Sequence, residues 1–442
     1  MGEAGDLPPA GRVEDLGDPG GHGVEGGGVD AGLRHGPSLG ARIGRPGQPA
    51  RVRGRRPSRP AVAQTSSPLV TLPYPDAVTP EPASRGGELD LAVLRAQDPT
   101  GLLEGVDRAV VWDIALTTRF RGLTRRDGVL LHGPGGWGEV APFWNYGSEA
   151  GAPWLASGLA QARGAVAPPR YRDAVPVNVT VPELSGSQAG KLVATSGAGT
   201  AKVKVSGGDS AADVARDIER LEAVRDALGR SGRIRIDANG GWELEAATRI
   251  LPRLDRAAGG LEYAEQPCAS VEDLAALRRR VDVPIAADES IRLSRDPMEV
   301  VRSGAADVAV LKVAPLGGVH RALDLIERLG LPAVVSSALD TSVGIAAGVT
   351  LAATLPVLGH ACGLGTVRLL RRDVAVPSAV PRQGEMPVRE ARVSSRLLDA
   401  VVADDDLTAR WQVRMAHLLG ALRARREREA RDPSAAIAGL PL

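Results

Sequence analysis

Apolar and amphipathic stretches alternate along the second half of the chain and predict a repeating strand and helix pattern. Short apolar runs typical of buried strands are separated by stretches with helical periodicity, such as 211–228 and 271–280. Eight such strands within about 190 residues are the number that a parallel (β/α) barrel requires. The predicted strands are 175–181, 201–205, 234–237, 261–265, 285–288, 308–312, 333–336 and 360–363.

The segments on either side of this pattern predict a second, smaller domain. From residue 89 onward, apolar runs at 110–116 and 128–133 precede a helical stretch that opens at Trp154, as in a small α+β domain. Residues 119–122 fall between two predicted strands, so they form either a loop over a site or a solvated hairpin. We expect the Arg-rich region after residue 370 to return to this domain and to end in a helix from about 407 to 430.

The first 87 residues are dominated by Gly, Pro and Arg and show little periodicity, so we predict a disordered extension. A basic arm for an acidic partner, or a true translation start further downstream, are the alternatives. The expected division of the chain is 1–87 as the extension, 88–174 as the α+β domain, 175–370 as the barrel with the site, and 371–442 as the returning segment.

Composition excludes several function classes. A net charge of +1 gives no overall attraction to nucleic acid or membrane, and 3% aromatic residues provide few stacking platforms for bases. The two cysteines, Cys268 and Cys362, form neither a disulfide framework nor a metal-binding CxxC motif. No apolar run has the length of a membrane span or a signal segment. We therefore expect a soluble cytoplasmic protein with a small-molecule partner, and the oligomeric state stays open.

The lysines are the first chemical signal. Only four of the 54 basic residues are lysines, and two of them, Lys202 and Lys204, alternate with valines so that both face one side of a strand. A solvated edge strand is the simpler explanation for such a short pattern. However, Lys crowded by another cation can lose its proton and act as a base, whereas Arg keeps its charge. We therefore predict general-base chemistry here.

Charged residues also end the following strands. After Lys204 come Asp237, Glu265, Asp288 and Lys312, at intervals of 33, 28, 23 and 24 residues, each about one strand and helix unit. Because the carboxyl ends of barrel strands converge on one mouth, we expect these side chains to face one another. Asp237 as a helix cap and 288–289 as a solvated turn are the alternatives for single members of the set.

Three converging carboxylates repel one another unless a cation joins them. Monodentate oxygens suit Mg²⁺, with Mn²⁺ able to substitute, and the lack of His or Cys beside them argues against zinc. A carboxylate substrate bound there has an acidified α-proton, because the enediolate formed on its loss lies beside the cation. Lys204 is placed to take that proton, and Lys312 to act from across the mouth.

Several motifs resemble known proteins. The motifs KVK (202–204), DANGGW (237–242), EYAEQPC (262–268), ADES (287–290) and LKVAPLGG (311–318) resemble the enolase superfamily, muconate-lactonizing subgroup. The segments FRGLT (120–124), GWGE (136–139), SSALD (336–340) and ACGLGT (361–366) resemble, more closely, the o-succinylbenzoate synthase family of the actinobacterial type. The resemblance covers about residues 100–375 and has no counterpart for the N-terminal extension.

The resemblance implies a modified (β/α)₇β TIM-type barrel with an α+β capping domain, and a Mg²⁺-dependent dehydration of 2-succinyl-6-hydroxy-2,4-cyclohexadiene-1-carboxylate. It implies that Lys204 is the base and returns the proton, that Lys312 stabilises the enediolate and that Lys202 tunes the charge. The implied metal ligands are Asp237, Glu265 and Asp288, with Asn239 behind them. The implied substrate contacts are Arg121, Ser336, Ser337, Gly363 and Gly365.

Two alternatives remain at this point. An N-succinylamino acid racemase or dipeptide epimerase would use the same site and needs both Lys204 and Lys312 as proton carriers. A catalytically silent barrel that serves as a binding protein would be expected to lack one of the carboxylates or lysines, and none is missing.

Overall fold

The computed structural model describes residues 86–294 and 296–431, so the predicted disordered extension lies almost entirely outside the described residues. The first described part is a three-stranded antiparallel sheet in the order β1, β2, β3. A short helix precedes it and a longer one follows it. These elements are α1 (Leu91–Ala96), β1 (Arg108–Phe120), β2 (Leu123–Gly133), β3 (Gly136–Val140) and α2 (Ser148–Ala162).

The helix predicted to open at Trp154 begins six residues earlier, at Ser148. The sequence obscured this start because Gly151 in the first turn and Pro153 soon after it both disfavour a helix interior. Helix α2 packs closely on β3, where a Cβ atom at Gly138 would lie only 1.9 Å from the carbonyl oxygen of Gly158. Two glycines facing each other thus allow the helix to approach the sheet.

The second part is a curled sheet of seven parallel strands in the order β5 to β11, flanked by helices. Together with the antiparallel sheet, it confirms the predicted modified TIM-type barrel with a capping domain. Strand β4 (Ala174–Pro176) lies outside this sheet. The seven strands of the sheet are β5 (Val179–Val181), β6 (Thr200–Lys204), β7 (Arg233–Asp237), β8 (Leu261–Glu265), β9 (Ile285–Ala287), β10 (Val308–Lys312) and β11 (Ala333–Ser336). Its helices are α3 (Gly186–Ser196), α4 (Ala211–Leu228), α5 (Leu244–Ala258), α6 (Val271–Arg278), α7 (Glu289–Arg292), α8 (Glu299–Arg302), α9 (Val313–Leu316), α10 (Val319–Leu329) and α11 (Ser342–Thr354).

Two strand predictions differ from the structure. The apolar run 175–181 is divided, because β4 pairs antiparallel with β12 (Glu385–Pro387) and only β5 enters the barrel. The run 360–363 forms single bridges rather than a strand, with Cys362 beside Val177 and Gly363 beside Ser336. These bridges connect Ser336, the last residue of edge strand β11, with Val177, two residues before edge strand β5. The bridges complete the ring with a few hydrogen bonds. The segment is too short for its periodicity to show whether it forms a strand.

The C-terminal segment returns to the antiparallel sheet. It contains a 3₁₀ turn (Thr366–Leu369), α12 (Ser395–Asp399) and the long helix α13 (Asp405–Arg431). Trp411, Met415 and Leu418 of α13 are buried in the same apolar cluster as Val111 and Leu155 of the antiparallel part. None of the helices in the described ranges is both long enough and apolar enough to cross a membrane.

A buried charge pair lies lower in the barrel, one layer below the strand ends. Arg235 is fully buried and donates to Glu262 through Nε at 2.9 Å, to the Tyr263 hydroxyl at 2.8 Å and to the carbonyl oxygen of Ala361 at 2.8 Å. His360 lies 2.9 Å from the other oxygen of Glu262. Burial alone would raise the pKa of Glu262, but His360 and Arg235 outweigh burial and lower this pKa from 4.5 to about 2.

This pair leads to a stability prediction. Glu262→Gln leaves Arg235 as a buried charge without its carboxylate, so we expect it to lower the free energy of unfolding by about 3 to 5 kcal/mol at pH 7. The wild-type advantage is present above the unfolded pKa of 4.5 and is lost as pH falls toward the folded value of about 2. Urea unfolding between pH 7 and pH 3 measures it. The exposed Glu222→Gln on α4 is the control, and an equal loss at all pH values would contradict the assignment.

Candidate active site

The barrel brings the predicted strand-end residues to one mouth. Lys204 is paired in register with Asp237, and Asp237 with Glu265, because β6, β7 and β8 are neighbouring parallel strands. Asp288 follows β9 directly, and Lys312 is the last residue of β10. Paired residues of parallel strands point to the same face of the sheet, so these side chains share the inner face at the carboxyl end.

Lys202 and Lys204 contact the carboxylates of the two following strands. The ammonium of Lys204 donates to Asp237 Oδ2 and to Asn239 Oδ1, both at 2.5 Å. Lys202 lies 2.8 Å from Asp237 Oδ2 and donates to Glu265 Oε1 at 2.6 Å. One carboxylate oxygen of Asp237 thus accepts from both lysines, which places the two cations close together.

A second group of charges surrounds Asp288. Its Oδ2 accepts from Lys312, and its Oδ1 accepts from Arg292 Nε at 2.9 Å. Arg292 also donates to Glu289 Oε1 at 2.5 Å. Asp288 is therefore held between two cations, on the side of the mouth opposite Lys204.

The loop that carries Asp288 is fixed by Gln266, a residue with no exposed surface. Its side-chain oxygen accepts the backbone N–H groups of Asp288 at 3.0 Å and Ser290 at 3.1 Å, while its amide group donates to the Ser290 hydroxyl at 2.7 Å. Its backbone carbonyl accepts from Gly240 at 2.6 Å, in the loop after Asp237. This one residue connects the loops that follow three carboxylate-bearing strands.

The charges perturb one another in a consistent pattern. Burial lowers the pKa of Lys204 to about 8, an effect that Asp237 opposes and that Lys202 and Arg121 reinforce. Burial also lowers the pKa of Lys202, but Asp237 and Glu265 outweigh it and raise that pKa above its usual value. The two lysines therefore differ, since Lys202 holds its proton firmly while Lys204 loses its proton more readily than an exposed lysine does.

Glu265 is neutralised less completely than the other two carboxylates, because Lys202 contacts only its Oε1. Burial and the neighbouring Asp237 raise its pKa to about 7, and its Oε2 is buried with no hydrogen-bond partner among the described residues. By contrast, the lysines and Arg292 offset burial at the other two carboxylates and lower the pKa of Asp237 and of Asp288. An unpaired carboxylate oxygen between two further carboxylates fits a hard divalent cation.

The described residues do not form a ready-made cluster of three acidic, His or Cys side chains around one point. Lys202, Lys204 and Lys312 occupy carboxylate oxygens of the set. The three carboxylates lie near one another because their strands adjoin. A cation that binds them would have to displace the ammonium groups, because these already contact the carboxylate oxygens. The donor chemistry therefore fits a divalent cation, and the roles of Asp237, Glu265 and Asp288 as its ligands stay a prediction.

The mouth contains a pocket of about 420 Å³. Lys204, Lys312 and Asn239 line it, as do four of the five predicted substrate contacts, which are Arg121, Ser336, Ser337 and Gly363. The fifth, Gly365, lines a neighbouring apolar cavity of about 750 Å³ that shares Thr180 with the mouth. The structure thus places Gly365 in the adjoining cavity and not in the pocket itself.

Several predicted contacts already have protein partners. Arg121 lies in the turn between β1 and β2, with φ of 51°, and forms an ion pair with Glu289 at 3.0 Å. Ser337 donates its hydroxyl to the carbonyl oxygen of Gly363 at 2.6 Å. A Cβ atom at Gly363 would lie 2.5 Å from Ser336 Oγ, so any side chain there would displace the Ser336 hydroxyl.

Sequence reasoning assigned no role to the aromatic wall of the pocket. The chain has only two phenylalanines, and both Phe120 and Phe143 line the pocket from the capping domain. The Lys204 ammonium lies 5.7 Å from the centre of the Phe120 ring. The scarcity of Phe was a usable signal, but the strand positions alone did not show that both rings line one pocket.

Two segments of the chain match protein-family models, and most of its length is similar to curated proteins. Residues 185–392 match the family model of the enolase C-terminal domain-like proteins, and residues 111–162 match that of the enolase N-terminal domain-like proteins. The o-succinylbenzoate synthase of Thermobifida fusca is 53% identical over 321 residues, which cover 72% of this chain and 97% of that protein. The synthase of the same name from Mycobacterium tuberculosis is 51% identical over 308 residues, covering 69% and 92%.

Solved structures share the fold at lower identity. The muconate lactonizing enzyme of Pseudomonas fluorescens has a TM-score of 0.55 at 22% identity, covering 69% of this chain and 97% of that one. The N-succinyl Arg/Lys racemase of Bacillus cereus has a TM-score of 0.57 at 17% identity, covering 67% and 96%. At such identities the likeness establishes the fold alone.

The unpaired Glu265 oxygen leads to a metal-binding prediction. A divalent cation that binds only the folded chain must raise its melting temperature, so we expect millimolar Mg²⁺ to raise the Tm and EDTA to reverse the effect. In Glu265→Gln the shift should be lost, while the exposed Glu222→Gln keeps it. Scanning calorimetry at several Mg²⁺ concentrations measures both shifts. An undiminished shift in Glu265→Gln would exclude this carboxylate as a ligand.

Proposed function

This chain belongs to the enolase superfamily and, within it, to the o-succinylbenzoate synthase family, and we propose that its barrel mouth dehydrates 2-succinyl-6-hydroxy-2,4-cyclohexadiene-1-carboxylate to o-succinylbenzoate. The reaction makes it a hydro-lyase of menaquinone biosynthesis. The observation that carries the proposal is the meeting of two lysine and carboxylate groups, around Lys204 and around Lys312, in one buried pocket.

Lys204 is the base of this proposal. A pKa lowered to about 8 leaves a usable fraction of free amine near neutral pH, which an exposed lysine does not have. Asp237 and Asn239 accept hydrogen bonds from its nitrogen and thereby fix its position. Phe120 shields the same nitrogen from one side.

The bond changes balance without a further reactant. Lys204 takes the proton from the carbon that bears the carboxylate, and the electron pair is held on that carboxylate as an enediolate. The pair then forms the new ring double bond as the bond from the neighbouring ring carbon to its hydroxyl breaks. The new ammonium of Lys204 returns the proton to the leaving hydroxide, which departs as water. The ring becomes aromatic, and Lys204 is restored as the free amine.

The remaining charged residues stabilise negative charge on the substrate or tune the pKa of Lys204. A Mg²⁺ ion held by Asp237, Glu265 and Asp288 would supply the Lewis acid for negative charge that develops on the substrate carboxylate. Lys312, held by Asp288, presents a cation from the far side of the pocket. Lys202 stays protonated between Asp237 and Glu265 and keeps the pKa of Lys204 low.

A second candidate, racemisation of N-succinylamino acids, is favoured by one observation. Lys204 ends β6 and Lys312 ends β10, which are four strands apart in the ring, so the two nitrogens approach a bound molecule from opposite sides. Such a pair is what removal and return of a proton on opposite faces requires. Both reactions need Lys204, and only racemisation needs Lys312 as a proton carrier.

The base assignment leads to a kinetic prediction. Lys204→Ala removes the proton acceptor, so we expect kcat for dehydration to fall by about 10³-fold or more, with the Mg²⁺-dependent rise in Tm retained. Loss of diene absorbance measures the rate. Lys191→Ala, an exposed lysine of α3, is the control and should keep wild-type kcat. A Lys204→Ala enzyme with wild-type kcat would contradict the assignment.

Substrate choice is tested separately in D₂O. The wild-type enzyme should dehydrate the cyclohexadiene carboxylate rapidly and exchange little α-deuterium into N-succinyl amino acids. Mass spectrometry of the amino acids measures the exchange beside the absorbance assay. Fast exchange with slow dehydration would make the protein a racemase that uses the same residues.

A further inference from the structure

A carboxylate of the capping domain is buried against a helix of the barrel. Glu139, the fourth residue of β3, is 3% exposed. Its oxygens accept the backbone N–H of Thr341 at 3.1 Å, the Thr341 hydroxyl at 2.6 Å and the backbone N–H of Gly344 at 2.9 Å. Thr341 is the N-cap residue of α11, so a side chain from one domain completes the helix end of the other.

The helix end that Glu139 holds continues directly into the pocket wall. Four consecutive residues, 336–339, line the pocket, and the chain reaches Thr341 two residues later. Leu339 has φ of 61°, an unfavourable conformation for a leucine, and the Asp340 side chain accepts the backbone N–H of Ala338 at 2.9 Å. A turn held in this way keeps its shape only while its surroundings fix it.

Arg126 makes a second connection across the same boundary. This buried residue of β2 donates to the backbone carbonyls of Ala141 and, at 3.4 Å, of Ala338 in the pocket wall. Its guanidinium lies 4.3 Å from the centre of the Phe143 ring, which lines the pocket from the capping domain. Arg126 thus contacts the pocket wall of the barrel, at Ala338, and the pocket wall of the capping domain, at Phe143.

Burying two carboxylates at the contact between the domains lowers the stability of the fold. Glu139 and Asp340 are both buried, and burial together with Asp340 raises the pKa of Glu139 to about 7. A Cβ atom at Gly344 would lie 2.7 Å from Asp340 Cβ and 3.0 Å from Glu139 Oε2, so even the helix must lack a side chain there. Apolar residues of similar volume commonly stabilise a domain contact as well as buried charges do.

We propose that Glu139 is a positioning residue for the reaction, which, through Thr341, sets the wall formed by residues 336–339 against the substrate. The inference rests on the proposed dehydration, and it assigns to Glu139 an effect on substrate binding and not on proton transfer. Lys204, Lys312 and the three carboxylates belong to other strands and are held by their own contacts. A change at Glu139 should therefore move KM and leave the chemical step nearly intact.

Glu139→Gln tests this with the smallest change in shape. The amide keeps one acceptor oxygen but turns an N–H group toward donors of the helix end, so at least one bond is lost. We expect KM for the cyclohexadiene carboxylate to rise about tenfold or more, while kcat changes by less than about threefold. Glu149→Gln, an exposed carboxylate of α2, is the matched control and should keep both constants.

Thr341 provides the partner variants. Thr341→Val removes the hydroxyl bond to Glu139 and the cap bond from the Val343 N–H at nearly constant volume, whereas Thr341→Ser retains both and should keep wild-type KM. In the Glu139→Gln, Thr341→Val double variant, the rise in KM should be smaller than the product of the two single effects. If Glu139→Gln does not fold, the comparison of Thr341→Val with Thr341→Ser decides the question.

The outcomes are distinct. A KM for Glu139→Gln equal to that of Glu149→Gln would overturn the proposal. It would also be overturned if Thr341→Val and Thr341→Ser changed KM by the same factor and kcat by the same factor. A tenfold fall in kcat at unchanged KM would also overturn it, because it would place Glu139 in the chemical step. A wild-type enzyme without dehydration activity would instead refute the proposed function, whatever the variants show.

Discussion

The barrel mouth depends on one constraint, the neutralisation of buried carboxylates. Asp237, Glu265 and Asp288 are each 1% exposed, and none can stay ionised at that depth without cations beside it. Lysines and Arg292 neutralise Asp237 and Asp288, and Glu265 retains an oxygen without a partner in the described part of the chain. The uneven supply of positive charge gives the site its two properties, a lysine that loses its proton more readily than an exposed lysine does and an oxygen available to a cation.

The same constraint operates where the domains meet. The N-terminus of α11 is capped by Thr341 and receives Glu139 from the antiparallel sheet and Asp373 from the C-terminal segment. A helix N-terminus stabilises negative charge, so carboxylates from two other parts of the chain converge on it. Because the pocket wall leads directly into this helix, the geometry of the capping domain and the geometry of the substrate pocket are set together.

Hydrogen bonds also connect the reactive residues to one another. Gln266 joins the loops after β7, β8 and β9. Glu289 accepts from Arg121, Arg292 and Asn239, and so ties the capping hairpin to the loops that carry Asp237 and Asp288. Preorganised polar groups of this kind hold charges in place without reorganising during the reaction. The chemistry and the closure of the pocket therefore use the same side chains.

The sequence by itself determined the barrel, the small α+β domain and the charged strand ends, because periodicity and spacing are local properties of the chain. It placed Lys202 and Lys204 on one face and put Asp237, Glu265, Asp288 and Lys312 at the ends of successive strands. Tertiary structure alone decided that the run 175–181 divides between two sheets, that Gly365 lies in the neighbouring cavity, and that α2 begins at Ser148. It also decided which ammonium contacts which carboxylate and that Glu139 meets Thr341 across 202 residues of chain. Such contacts depend on how strands curl and domains dock, and no local pattern encodes that geometry.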